Sequence, residues 1–252
     1  MPQLDAKDIT LRFGGVVALD SLSFSAAPDS ITALIGPNGA GKTTLFNVVT
    51  RLYEPNSGSV LLDGLELLDT KAHDIAHLGI ARTFQNLALV PGLTVLDNVM
   101  IGEHSSTTGG FLTSLLGLQF LGREQAARRR GMELLDRLGL AQFAKSPAAG
   151  LPFGTLKRIE LARALASNPT TLLLDEPASG LTHSEVDELG TLIRSIRDEF
   201  GLTVLLVEHH MGMVMEISDR VVVMEFGMKI AEGDPATVRA DPVVIEAYLG
   251  AS

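Results

Sequence analysis

Cysteine is missing from all 252 residues, basic residues are outnumbered, and no apolar run is long enough to cross a bilayer. The absence of cysteine removes disulfides, thiolate metal sites and cysteine nucleophiles together, and fits a reducing compartment. The longest apolar stretch, FLTSLLGLQFL at 111 to 121, falls short of the roughly 20 residues that a spanning helix needs. Lys and Arg number 20 against 30 Asp and Glu, a net charge of −10. That balance disfavours a phosphate-backbone-binding surface, so nucleic acid is not an expected partner. The opening MPQLDAKDIT lacks the basic and apolar pattern of a signal peptide. What remains is a globular protein, 46% hydrophobic, expected in the cytoplasm and reaching any membrane through a partner.

Residues 1 to 34 alternate short apolar runs with polar breaks, and SGSVLLDG at 57 to 64 adds another, which predicts an antiparallel β region. TLLLD (171 to 175) and TVLLVE (203 to 208) are continuous apolar runs suited to strands buried on both faces. Between them Val186, Leu189, Ile193, Ile196 and Phe200 recur at steps of three and four, the spacing of a helix, so strand, helix, strand predicts a parallel α/β sheet. Ala127, Gly131, Leu134, Leu135 and Leu138 mark one face of a further helix, with the three consecutive arginines mostly elsewhere on a solvated face. VVVMEFGMKIAEG predicts a hairpin turning at Phe226 and Gly227. With no internal repeat and no low-complexity linker, the expectation is one domain over 1 to 252, with a helical insertion at roughly 87 to 165 and a C-terminal tail from roughly 234.

The chemistry begins at ITALIGPNGAGKTT, residues 31 to 44, which runs strand, glycine loop and helix start in sequence. Gly36, Gly41, Lys42 and Thr43 complete the pattern G-x-x-x-x-G-K-[ST]. In such a loop glycines let backbone amides turn toward an anion, and the helix N-terminus adds a positive dipole end. The lysine then reaches terminal phosphates and the hydroxyl can hold Mg²⁺. A phosphate loop alone leaves kinases, GTPases and ATPases open. LLLDEP narrows the choice, because a strand ending in Asp175 supplies a carboxylate for Mg²⁺ and Glu176 beside it can orient or activate water. The N-K-x-D base-recognition motif of a GTPase is absent.

In its ordered motifs the chain resembles the nucleotide-binding subunits of ABC transporters over essentially its whole length. Phe13 stands where an aromatic stacks on adenine, and GPNGAGKTT supplies Gly36, Pro37, Asn38, Gly39, Ala40, Gly41, Lys42, Thr43 and Thr44 as the phosphate loop. Gln85 in ARTFQN matches the Q-loop, LPFGT the signature, DEP the catalytic strand end with Glu176, ASGL the D-loop at 178 to 181, and His209 in VEHH the switch histidine. The resemblance implies an ATPase with a RecA-like α/β core, an antiparallel β subdomain and an inserted helical subdomain. It implies ATP and Mg²⁺ as cofactors, with Thr43, Gln85 and Asp175 toward the metal and Lys42, Glu176 and His209 toward catalysis. It also implies a dimer of ATPase subunits, homo- or heteromeric, on transmembrane permeases at the cytoplasmic face of the plasma membrane, with a substrate-binding protein if the system imports. From the residues themselves, the lesser alternative for Phe13 is a core position of an N-terminal strand.

GIARTFQNLALVPGLTVLDNVMIGEH, LVEHHMGMVMEISDRVVVMEFG and the ending DPVVIEAYLG look like the branched-chain amino acid class, whose relatives also handle urea, short amides or lipopolysaccharide. A soluble ABC-type ATPase is a further alternative, against which stand the acidic balance and the lack of coiled-coil or zinc inserts. The signature departs from the usual L-S-G-G-Q, with Leu151, Pro152, Phe153, Gly154 and Thr155 in its place. Proline supplies neither a hydroxyl nor an N–H to a phosphate held by the opposite subunit. HDIAH at 73 to 77 imitates a zinc-binding spacing without an evident third ligand, and the expectation there is an ordinary surface helix.

Overall fold

The computed structural model describes residues 1 to 83, 87 to 104 and 117 to 249. Contacts divide the chain into two compact units, one formed by Met1–Ile75 with Thr170–Ser252 and the other by Ala76–Pro169.

In the first unit, β1 (Leu4–Phe13) and β2 (Val16–Ala26) pair antiparallel, and β4 (Ser57–Leu62) joins the other edge of β1 with the short β5 (Leu65–Glu66) beyond it. The alternation read from the sequence is the alternation observed: Leu4, Ala6, Ile9 and Leu11 are buried from β1. The second sheet of this unit orders β10 (Met228–Gly233), β9 (Arg220–Glu225), β3 (Ile31–Ile35), β8 (Thr203–Val207) and β7 (Thr171–Asp175). The last four run parallel, and β10 returns antiparallel through the expected turn at Phe226 and Gly227. Every residue of β3, β7 and β8 is buried, as strands covered on both faces must be.

Between β7 and β8 runs α5 (His183–Phe200), started by a capping box of Thr182 and Glu185 and ended by Gly201 in a left-handed cap. It buries Val186, Leu189, Ile193 and Ile196, each contributing about 1.5–3 kcal/mol on leaving water. Helix α6 (Met211–Ile217) follows β8, and the chain closes with α7 (Pro235–Ala240) and α8 (Pro242–Leu249), whose Val238 and Val244 join Ile35, Val214 and Val223 in one apolar cluster.

The second unit is mainly helical and also holds the short β6 (Ile80–Arg82). Helices α2 (Val95–His104), α3 (Gly117–Arg137) and α4 (Phe153–Leu165) pack closely enough that a Cβ on Gly102 would lie 1.9 Å from the Arg163 carbonyl oxygen. The face read from the sequence is the buried one, with Ala127, Leu134, Leu135 and Leu138 all inside. HDIAH lies within a 3₁₀ helix, Ala72–Leu78, where the chain passes from the first unit to the second. At three residues per turn it does not stack positions four apart as a zinc-binding α-helix does, and His73 lies instead 3.4 Å from Asp74 in an exposed pair.

Candidate nucleotide site

Strand β3 ends at Ile35, and the chain leaves the sheet at Gly36 with φ of +151°. A Cβ there would lie 2.0 Å from the carbonyl oxygen of Met224 on β9, so only hydrogen fits. Pro37, Asn38, Gly39 and Ala40 make the turn, closed by the Ala40 amide donating to Pro37 at 3.2 Å, and helix α1 (Lys42–Val49) starts directly after Gly41. Lys42 is buried, and its Nζ donates to the carbonyls of Gly36 at 2.7 Å and Pro37 at 2.9 Å. Burial holds its ammonium below the ordinary range, while the charges of Glu176 and Asp175 pull the other way. The phosphate-loop lysine and the two strand-end carboxylates therefore share one electrostatic neighbourhood. Thr43 is exposed and Thr44 half-buried in the first turn of α1.

The strand order explains this convergence. β8 lies between β3 and β7, and Leu34 and Asp175 both align with Val207. The phosphate loop, the Asp175–Glu176 pair and the Glu208–His209 pair thus emerge side by side from the C-terminal edge of a parallel sheet, where such folds bind ligands. Asp175 is 2% exposed. Glu176 takes φ of +47°, a left-handed conformation costing a non-glycine residue about 1–2 kcal/mol. Its amide donates to the Val207 carbonyl at 2.9 Å. The D-loop residues follow in tight turns, Ser179 donating to Glu176 and Leu181 to Ala178 at 3.1 Å each.

His209 follows β8 with its side chain 54% exposed, and its ring lies 4.4 Å from that of His210. The residue before it, Glu208, has a fully buried side chain. Its Oε1 accepts the Ala178 amide at 2.8 Å, and its Oε2 accepts the amides of His209 at 2.8 Å and His210 at 3.0 Å, with His210 Nδ1 also at 3.0 Å.

Phe13, at the end of β1, is 47% exposed and meets Tyr53 edge-on with centroids 5.1 Å apart, so it is not a core residue. Gly227, at the tip of the β9–β10 hairpin, donates its amide to the Ala40 carbonyl at 3.1 Å and accepts from Asp20 at 3.0 Å, tying the phosphate loop to β2. Gln85 lies outside the described residues.

The signature opens α4 in the helical unit. Pro152 is its N-cap, φ −54° and ψ 147°, with no side-chain cap, and the first helical bond runs from Leu156 to the Pro152 carbonyl at 3.0 Å. The amides of Phe153, Gly154 and Thr155 therefore have no acceptor within the helix. Phe153 is exposed, with the Lys157 ammonium 5.6 Å from its ring centre. Glu208, Tyr53 and Gly227 were not marked as site residues by the sequence. For Glu208 a signal did exist, an acid ending a run of buried apolar residues immediately before two histidines.

A family model described as ABC transporter matches residues 19–179, and one described as branched-chain amino acid ATP-binding cassette transporter matches 228–252. The chain is 40% identical over 250 residues to the high-affinity branched-chain amino acid transport ATP-binding protein BraF of Pseudomonas aeruginosa, covering 99% of this chain and 98% of the relative. Identity and coverage are the same for the protein of that description, LivG, from Escherichia coli K12. Among solved structures, the ADP conformation of an ATP-binding cassette of an ABC transporter superposes with a TM-score of 0.87 at 32% identity, covering 99% of both chains. A dimeric post-hydrolysis cassette bound to ADP and Pi gives 0.77 at 25% identity, covering 92% of this chain and 98% of that one.

Proposed function

The chain belongs to the ABC transporter family as an ATP-binding and ATP-hydrolysing subunit, and we propose that two such subunits close head to tail on two ATP molecules to drive import of branched-chain or related amino acids. The cargo reading rests on near-full-length identity to relatives of that description and on the match of the C-terminal residues 228–252 to the corresponding family model.

In each site the backbone amides of residues 38 to 44 and the Lys42 ammonium hold the phosphates, and Phe13 offers its exposed ring to adenine. Lys42 is pre-positioned over the loop by its bonds to Gly36 and Pro37, which phosphate oxygens can take over. Glu176 orients and deprotonates the attacking water, and His209 donates to the γ-phosphate as charge builds there. The donor set fits Mg²⁺: the Thr43 hydroxyl stands beside Lys42 on α1, and the Asp175 carboxylate lies near enough to act on the lysine charge. With Gln85 these are the hard oxygen ligands that ion requires. When bound it neutralises charge on the β- and γ-phosphates.

The second subunit contributes Leu151 to Thr155. Its Pro152 brings no hydroxyl, so the open amides of Phe153, Gly154 and Thr155 at the start of α4 are the donors left to meet the γ-phosphate across the dimer. Gln85 and the segment 87 to 95 carry closure to a permease. That segment is held to α2 by the buried Asn98, whose side chain exchanges hydrogen bonds with Val90 at 2.7 and 3.1 Å, and it leaves Val90 and Leu93 exposed as an apolar contact. No helix among the described residues is long and apolar enough to cross a membrane. We place the subunit at the cytoplasmic face of the plasma membrane, held there by its permeases, with a substrate-binding protein outside.

The test is uptake of labelled leucine in a strain lacking this gene, complemented with wild type or with Glu176→Gln. Uptake restored by wild type alone supports the reading. Uptake that never depended on the gene, with ATPase activity intact in the purified protein, removes the cargo and keeps the enzyme.

A further inference from the structure

Glu208 carries a carboxylate that the mechanism above does not use, and its side chain is fully buried directly before His209. Each of its oxygens is committed to a different segment. Oε1 takes the Ala178 amide, the first residue of the D-loop, and Oε2 takes the two successive amides that fix His209 and His210. A charged acceptor of amides gives the stronger class of hydrogen bond, and a buried one cannot exchange its partners for water. The segment after Glu176 and the backbone of His209 are thereby joined through one side chain, in addition to the bond from the Glu176 amide to Val207.

We propose that Glu208 is a positioning residue that locks the D-loop and the switch histidine into one unit, so that His209 meets the γ-phosphate only when the residues after Glu176 are in register. The inference rests on His209 acting at the γ-phosphate as described above. In this role Glu208 works through its protein partners, the Ala178, His209 and His210 amides. It acts by aiming the His209 backbone, and its removal should lower turnover without loosening ATP.

Glu208→Gln is the near-isosteric change. It leaves one oxygen for the two sides and turns an N–H₂ toward amides that are themselves donors. In the purified chain the expected result is a kcat at least tenfold lower, with the Kd for ATP within threefold of wild type. The discriminating readout is a cycle with His209→Ala: in that background Glu208→Gln should cost nothing further, because the residue it aims has gone. Effects that multiply would show that Glu208 acts elsewhere and overturn the proposal, as would unchanged kcat in the single variant. Glu208→Asp serves as the second variant. If both fail to bind ADP or to melt cooperatively, Glu208 is a folding element and the proposal falls. Glu176→Gln, run in parallel, separates the two readings: persistent hydrolysis there would overturn the proposed mechanism whatever Glu208 does.

Discussion

The Glu176 amide is bonded to the Val207 carbonyl at 2.9 Å while Glu176 itself sits at φ +47°. A conformation that most residues avoid is thus fixed by the end of the neighbouring strand, which aims the side chain out of the sheet edge beside Lys42. Strain of this kind gathers where a side chain must be held ready for chemistry.

Glu176→Gln keeps the length of the side chain and the backbone bond, and removes the base. Turnover should fall by about 10²–10⁴-fold, the usual worth of a positioned general base. Nucleotide affinity and melting temperature should stay at wild-type values, and ATP-bound dimers should accumulate on a sizing column. Residual turnover near wild type would take the base role away from this residue.

Gly227 offers a subtler test, because it lies outside every phosphate motif. A Cβ there would come within 2.7 Å of the Ala18 carbonyl oxygen at a φ of +81°, so Gly227→Ala must displace the hairpin tip that holds Ala40. The expected cost is about 1–3 kcal/mol of stability, read as a lower melting temperature, together with severalfold weaker ATP binding because the loop loses a fixed point. Weakened stability with unchanged ATP affinity would show that the Ala40 bond does not shape the loop.

The contrast between Gly36 and Gly227 shows what the sequence could reveal. Gly36 belongs to a local pattern in which every member lies within nine residues, and apolar runs such as TLLLD announce their own burial. Gly227 was legible only as a turn residue. Its bond to Ala40 joins positions far apart in the chain, and no local periodicity encodes such a pair. The same holds for Ala178 with Glu208, and for the order β3-β8-β7, which places the strand latest in sequence between the two that carry the phosphate loop and the carboxylates. The 3₁₀ helix at 72–78 was hidden for the opposite reason: a spacing of four residues implies a shared face only if the helix is α.

The hydroxyl of Tyr248 on α8 gives a pH test. Burial pushes it up to about 12 from the ordinary 10.0, with the Gly36 backbone pulling the other way. A pKa higher in the folded state means that the unfolded chain ionises first. Stability from this group is complete below pH 10 and drains away as pH rises toward 12. The melting temperature of wild type should fall more steeply across that window than that of Tyr248→Phe, with the two close together at neutral pH. Parallel curves would show that the ring sits in water in the native protein.

Pro152→Ser tests the signature through two effects that can be read apart. As N-cap of α4, serine can accept from the amide of Gly154 or Thr155, which is worth about 0.5–2 kcal/mol of stability and appears as a higher melting temperature. It also restores a hydroxyl and an amide at the position that we assign to the γ-phosphate of the opposite subunit. One hydrogen bond to a charged group is worth about 1.5–3 kcal/mol, so ATP-driven dimerisation should tighten by about tenfold or more. Sedimentation of the Glu176→Gln protein with ATP, with and without the serine, measures that term free of turnover. A higher melting temperature with unchanged dimer affinity would mean that the hydroxyl only caps its own helix, and that the head of α4 meets the phosphate through its main-chain amides or not at all.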